Sequence, residues 1–269
     1  MKNTKLGFIG CGNMGQAILK SLLEKKMIKV SQVTVCEKDA KKRASIKKKF
    51  KVQAISSVIN VVERSNIIIL AIKPQDSQVI LEKISPYVGY KKYFISIMAG
   101  VKLTKIEESF VKGIAVARVM PNMAASIGES VSSLSFNKYV SVKNKKLTNK
   151  IFSVIGEVYE APEKKIDIIT ALSGSGPAYF FYMIESFVEA GVKNGLTKSA
   201  ALKLMVSTMK GSALVLEQTK LAPEKLREMV TSKKGTTEAA LDVMKHSGLK
   251  KIIKEAVTAA KKRSQELSK

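Results

Sequence analysis

The chain has 269 residues, 45% of them hydrophobic, and a formal charge of +25. That length favours two domains over one, and no apolar run approaches the ~18 residues that cross a bilayer, so no membrane partner is expected. Only five of the 47 basic residues are arginines, and the lysines are spread over most predicted helices without interleaved aromatics, so nucleic-acid binding is not expected as a main function.

The first predicted element is a short apolar strand, Leu6–Ile9, which runs into Gly10, Gly12 and Gly15 and then an apolar-periodic helix (Ala17, Ile18, Leu22, Leu23). This is a G-x-G-x-x-G fingerprint between strand and helix. The first glycine permits a tight turn, the second lets backbone approach a diphosphate, and the third lets helix and strand pack closely. Cofactor contacts are expected from Gly10, Cys11, Gly12, Asn13 and Met14. Because the first apolar segment is already a strand, no leader is expected, and the protein is expected to be cytoplasmic.

Val33–Cys36 reads as the second strand, ending at Glu37-Lys38-Asp39. An acidic residue about 20 residues past the glycines accepts the ribose hydroxyls of NAD, whereas nearby cations suit the 2′-phosphate of NADP. Glu37 and Lys38 are both candidate contacts, so the choice between NADH and NADPH stays open. Cys11 and Cys36 lack disulfide or metal spacing and read as structural thiols.

A third strand is predicted near Val52–Ile55 and a helix over Val58–Arg64. Ile67–Ile72 is a continuous β-branched run, as in a strand buried on both faces, and it stops at Lys73-Pro74. Helix 76–84, strand 93–97, helix 103–110 and strand 115–119 repeat the βα rhythm of a doubly wound sheet, whose ligand lies beyond the strand C-termini. Ala71, Ile72, Lys73, Pro74, Ala99, Gly100 and Asn122 occupy those ends and are expected to contact the cofactor. Strands 129–134 and 156–160 flank a lysine-rich helix, 142–154. The boundary is placed near Pro162, giving an N-terminal Rossmann-type domain (1–162) and an all-helical domain (163–269).

From Ile166 no strand-like run recurs, and helices are predicted over 177–194, 198–219, 223–230, 236–246 and 249–265. Their many small and apolar positions point to close packing and to an apolar face covered by a second copy, at least a homodimer. Ser232, Gly235, Thr236 and Thr237 sit at the start of helix 236–246. Free N–H groups and hydroxyls there make a carboxylate site, or simply a capped helix start. Ser173-Gly-Ser-Gly-Pro177 reads first as close packing, with Ser175 as a substrate contact. The single histidine, His246, lies near a helix C-terminus and reads as a dipole partner.

In order and spacing, GFIGCGNMG, LAIKPQ (70–75), SIMAGV (96–101), RVMPN (118–122), TALSGSGPAYFF (170–181) and VTSKKGTTEAAL (230–241) resemble the Δ1-pyrroline-5-carboxylate reductase family over essentially the whole chain. The resemblance implies a Rossmann domain followed by a helical dimerisation domain. It also implies NAD(P)H-dependent reduction of a small anionic cyclic imine to L-proline, and dimers that often assemble into decamers. By the same resemblance, backbone N–H groups of the 232–237 turn hold the substrate carboxylate and Thr237 hydrogen-bonds the ring nitrogen. A protonated imine is already electrophilic, so the reaction needs no strong acid. The chain departs from the family pattern in three places: MPNMAA for MPNTPA, Val58 for a frequent asparagine, and SKKGTT for SPGGTT. The alternatives are a reductase of a related cyclic imine and a non-catalytic NAD(P)-binding relative. A β-hydroxyacid dehydrogenase would carry a lysine where Phe180 stands.

Overall fold

The computed structural model describes residues 4–267. Those residues form two compact units, one running to Ser175 and resuming at Ala260, the other Gly176–Ala259.

The first unit is built on an eight-stranded sheet. Its strands are β1 (Leu6–Ile9), β2 (Val33–Cys36), β3 (Gln53–Ile55), β4 (Ile67–Leu70), β5 (Tyr93–Ser96), β6 (Ala115–Met120), β7 (Ser130–Phe136) and β8 (Gly156–Glu160), in the order β3-β2-β1-β4-β5-β6-β7-β8. β1 to β6 are parallel, β7 runs antiparallel to β6, and β8 runs parallel to β7. The register decides where a ligand can sit. Ile9 pairs with both Cys36 and Leu70, Leu70 pairs with Ser96, and Ser96 with Arg118. The strand ends are therefore level, and the segments after residues 9, 36, 70 and 96 leave the sheet along one edge.

Period-two alternation sends successive side chains to opposite faces. Ile67 and Ile69 join Leu6, Phe8, Tyr93 and Ile95 in one core, with Ile18, Leu19 and Leu22 of α1 (Asn13–Glu24) and Ile151 and Phe152 of α6 (Val142–Phe152). Ile68 and Leu70 join Ile9 and Phe94 in the other. That second core is closed by α3 (Val58–Arg64), α4 (Ser77–Ile84) and α5 (Leu103–Glu108), through Val61, Val62, Leu81, Ile84 and Ile106. Phe110, just beyond α5, stacks on Phe94 with ring centroids 4.7 Å apart. The continuous run Ile67–Leu70 is thus apolar because both faces are covered. On α2 (Ala40–Phe50), capped by Asp39, only Ile46 and Phe50 are buried, so its lysines face water as expected of a solvated helix.

After β8 the chain continues as α7 (Ile166–Ile169) and a π-helical turn, Thr170–Gly174, ahead of the first helix predicted in this half. Glu163 anchors this stretch. Its Oε1 lies 3.0 Å from the Arg118 guanidinium of β6 and accepts the Leu103 N–H at the start of α5 at 2.7 Å. Arg118 is 3% exposed. Removing one member of a buried pair leaves the other uncompensated. Glu163→Ala is expected to cost about 3 kcal/mol of stability, read from the urea midpoint, and Arg118→Leu/Glu163→Leu to recover most of it. A Glu163→Ala midpoint equal to that of the parent would show that the pair contributes nothing.

The second unit contains α8 (Gly176–Lys193), α9 (Lys198–Thr219), α10 (Pro223–Met229), α11 (Thr236–His246) and the start of α12 (Leu249–Leu267), whose residues from Ala260 belong to the first unit. α8 and α9 pack closely where Gly191 meets Ala201; a Cβ at 191 would stand 3.0 Å from that of Ala201. Burial here is sparse. In α8 only Gly176 and Val188 are fully buried, in α9 only Ala201. Phe180 and Phe181 are 55% and 54% exposed, and Leu204, Val206 and Val215 are also in water. Helices this apolar need a further surface to cover them. No helix among the described residues is long and apolar enough to cross a membrane.

Candidate active site

The glycine loop is shaped as its sequence requires. Gly10 takes φ +80°, and a Cβ there would meet the Ala71 carbonyl oxygen at 2.6 Å, so this position tolerates only glycine on two counts. Its N–H donates to the Cys36 carbonyl at 2.9 Å, which fixes the loop against the end of β2. Gly12 is the N-cap of α1, in extended conformation and with no side-chain cap. A Cβ at Gly12 would meet nothing within 4 Å. The N–H groups of Asn13, Met14 and Gly15 belong to a first helical turn and have no intrahelical acceptor. An open cradle over unpaired N–H groups at a helix N-terminus fits a dinucleotide diphosphate.

The other expected cofactor residues lie along the same edge of the sheet: Glu37 and Lys38 after β2, Ala71 to Pro74 after β4, Ala99 and Gly100 after β5, Asn122 after β6. Gly100 has a second role. It is buried at φ +76°, and a Cβ there would lie 2.8 Å from the Leu267 carbonyl oxygen, so the end of α12 packs directly on it. Ser264 on the same helix end donates to Asp167 Oδ1 at 2.8 Å. Nothing in the sequence pattern pointed to this docking of the final turn. The loop after β6 departs from the family pattern without losing order. Ala124 supplies an N–H to Asn122 Oδ1 at 3.2 Å that a proline there could not, and residues Met123–Ile127 form a 3-10 helix.

Both cysteines are buried, as structural thiols should be. Burial, then the charge of Glu37, pushes the Cys11 thiol up to about 12, and the same two causes in the same order push Cys36 up to about 11. Neither is a nucleophile at neutral pH.

Ser175 closes the π-helical turn, its N–H donating to the Thr170 carbonyl at 2.8 Å. Gly174 beside it approaches Met120 at the end of β6; a Cβ would stand 3.2 Å from the Met120 Cε. π-turns recur at functional sites, and here Ser-Gly-Ser-Gly, small and unable to resist the wider turn, is the signal that could have disclosed one.

In the other unit, Ser232, Gly235, Thr236 and Thr237 form one turn. Gly235 is the N-cap of α11, its N–H donating to the Ser232 carbonyl at 3.0 Å, and a Cβ at 235 would strike Ser232 Oγ at 2.4 Å. Neither Thr236 nor Thr237 caps the helix, and among the described residues neither hydroxyl holds a hydrogen bond. Capping therefore does not account for the paired threonines. Lys234 sits at φ +59° and is held there by its N–H, which donates to Glu238 Oε2 at 2.6 Å. A left-handed lysine costs about 1 kcal/mol over glycine, less the entropy glycine gains on unfolding. Lys234→Gly is expected to stabilise the fold by about 0.5 kcal/mol, seen as a small rise in Tm; a fall would place Lys234 in contacts of its own. His246 is exposed, with Nδ1 2.7 Å from the Asp242 carbonyl oxygen one helical turn earlier, which satisfies it at the end of α11.

A glycine loop shaped for a diphosphate at the end of β1 and a level edge of parallel strands mark the first unit as a dinucleotide-binding fold. The comparisons narrow it. Residues 163–267 match the family described as pyrroline-5-carboxylate reductase dimerisation, and residues 5–100 match NADP oxidoreductase coenzyme F420-dependent. The chain is 33% identical to the pyrroline-5-carboxylate reductase of Methanosarcina acetivorans, over all of both proteins, and 36% identical to that of Synechocystis, over 98% of each. Its structure is similar to Plasmodium falciparum pyrroline carboxylate reductase with NADP bound, at a TM-score of 0.91 and 33% identity over the whole of both chains. The chain belongs to the pyrroline-5-carboxylate reductase family.

Proposed function

We propose that this protein reduces Δ1-pyrroline-5-carboxylate to L-proline with a reduced nicotinamide dinucleotide. Full-length similarity to named reductases carries the reading, and the open Gly12 cradle supports it from the structure. When bound, the dinucleotide supplies a hydride to the C=N carbon, and one proton completes the amine. The chain's own residues then have three tasks. Gly10, Gly12 and the first N–H groups of α1 hold the diphosphate; Ala71 to Pro74, Ala99 and Asn122 position the nicotinamide end. The first N–H groups of α11 and the Ser232–Gly235 turn bind the substrate carboxylate, which a helix start favours by both dipole and hydrogen bonds. Thr237 Oγ1 hydrogen-bonds the ring nitrogen and orients it for reduction.

The sparse burial of α8 and α9, together with the dimerisation-family match over 163–267, supports a homodimer formed through these helices. The deciding experiment follows oxidation of NADH and NADPH with and without pyrroline-5-carboxylate. Proline formed one-for-one with oxidised cofactor is expected. Cofactor binding without turnover would instead identify a non-catalytic relative, and turnover confined to another cyclic imine would reassign the substrate.

A further inference from the structure

Which dinucleotide the protein takes is decided at the far end of the cofactor, around the adenosine ribose. The register brings Glu37 there: Cys36 pairs with Ile9 and receives the Gly10 N–H, and the Glu37 N–H donates to the Ile55 carbonyl at 3.0 Å. The side chain thus emerges beside the glycine loop on backbone fixed from both sides. The carboxylate is also held, because Oε1 accepts the Asp39 N–H at 3.1 Å. One further oxygen remains to accept from a vicinal diol.

Of the cations around it, Arg43 is held by backbone carbonyls, whereas the lysines are exposed and paired at most loosely. Arg43 Nη1 donates to the Glu37 carbonyl at 2.8 Å and the Lys38 carbonyl at 3.2 Å, so the guanidinium braces the loop from its own side. Lys49 Nζ donates to Gln16 Oε1 at 3.3 Å, and Gln16 in turn donates to the Cys11 carbonyl at 3.1 Å. Lys38 Nζ stands 3.8 Å from Asp76 Oδ2. Lys41 and Lys42 lie exposed on the first turn of α2, where salt screens long flexible side chains. A 2′-phosphate would therefore face the held Glu37 carboxylate, while the nearest guanidinium, Arg43, has Nη1 already donating to two backbone carbonyls. A 2′-hydroxyl would meet an acceptor already aimed.

We propose that this chain prefers NADH to NADPH and that Glu37 is the residue that sets the preference. The proposal rests on the reductase reading for the presence of a dinucleotide site, but not for its selectivity. It also runs against a simple transfer from the NADP-bound relative, because the groups that discriminate are this chain's own. The test is direct binding, followed by the fluorescence of each reduced dinucleotide at ~0.15 M salt, a regime where the Debye length is about 8 Å. NADH is expected to bind the parent protein at least about tenfold more tightly than NADPH. Glu37→Gln keeps an acceptor for the Asp39 N–H, removes the charge and turns the second oxygen into an NH2 donor, which can still meet the oxygen of a ribose hydroxyl. It is expected to tighten NADPH about tenfold while changing NADH less than about threefold. Equal or tighter NADPH binding by the parent would overturn the proposal, as would a Glu37→Gln protein with an unchanged ratio. Failure to bind either dinucleotide would remove the cofactor site itself, an outcome distinct from a reversed preference.

Discussion

Replacing Gly12 with valine is expected to weaken dinucleotide binding by at least about a hundredfold, roughly 3 kcal/mol, while leaving the fold intact. Two observations make the result specific. The position has φ −69° in extended backbone, which valine accepts without strain, and nothing lies within 4 Å of the place where its Cβ would stand. The branched side chain would occupy the volume over the first N–H groups of α1, the place proposed for the diphosphate, and would hold a diphosphate off those donors. Gly10→Ala gives the opposite outcome. At φ +80° and 2.6 Å from the Ala71 carbonyl oxygen, the added methyl strains backbone that also links β1 to β2, so the unfolding midpoint is expected to fall before binding can be assessed. Cofactor titration and thermal melting on both variants separate the two. A Gly12→Val protein that binds within about threefold of the parent would show that the cradle is not where the diphosphate rests.

These neighbouring glycines also show what a sequence discloses and what it does not. The fingerprint told that both were needed, because a strand running into G-x-G-x-x-G and then a helix has few physical solutions. The parallel strands were legible for the same kind of reason: β-branched runs such as Ile67–Leu70 need two covered faces, and turn residues mark their ends. Where local chemistry and tertiary demand disagree, legibility ended. Lys26, Lys51, Lys220 and Lys234 all adopt positive φ, a conformation normally signalled by glycine or asparagine. In a chain so rich in lysine the signal disappears, and the left-handed residue at 234 is visible only once Glu238 is seen to hold its N–H. At the π-helical turn Thr170–Gly174, Ser-Gly-Ser-Gly permits the wider turn, but the close approach of Gly174 to Met120, some fifty residues earlier, is visible only in the structure. The docking of Leu267 on Gly100 depends on contacts that no periodicity encodes. The candidate substrate turn was legible in its residues but not in its freedom: a Gly-Thr-Thr before a helix reads equally as a cap until the hydroxyls are found unused.

That freedom carries the second large effect. Thr237→Ala is expected to lower kcat about a hundredfold while leaving cofactor affinity and the unfolding midpoint close to those of the parent. The structural cost should be small because no hydrogen bond among the described residues depends on the Thr237 hydroxyl, and the N-cap of α11 is Gly235. The kinetic cost should be large because a hydroxyl on a helix start orients the imine nitrogen only if it is fixed, and the half-buried Thr237 lies on the first turn of a regular helix. Thr237→Ser restores the hydroxyl without the methyl and is expected to recover most of the turnover. Thr236→Ala, at the exposed neighbouring position, should cost less than about threefold if its contribution to carboxylate binding is made by its backbone N–H rather than its hydroxyl. His246→Ala should leave turnover unchanged, because that ring is satisfied by the Asp242 carbonyl one helical turn away and the reaction draws its proton from an already protonated imine. A Thr237→Ala enzyme with parental kcat would take the hydroxyl out of the chemistry. The α11 start would then keep a role only in carboxylate binding, visible as a KM effect from Ser232→Ala with kcat unchanged.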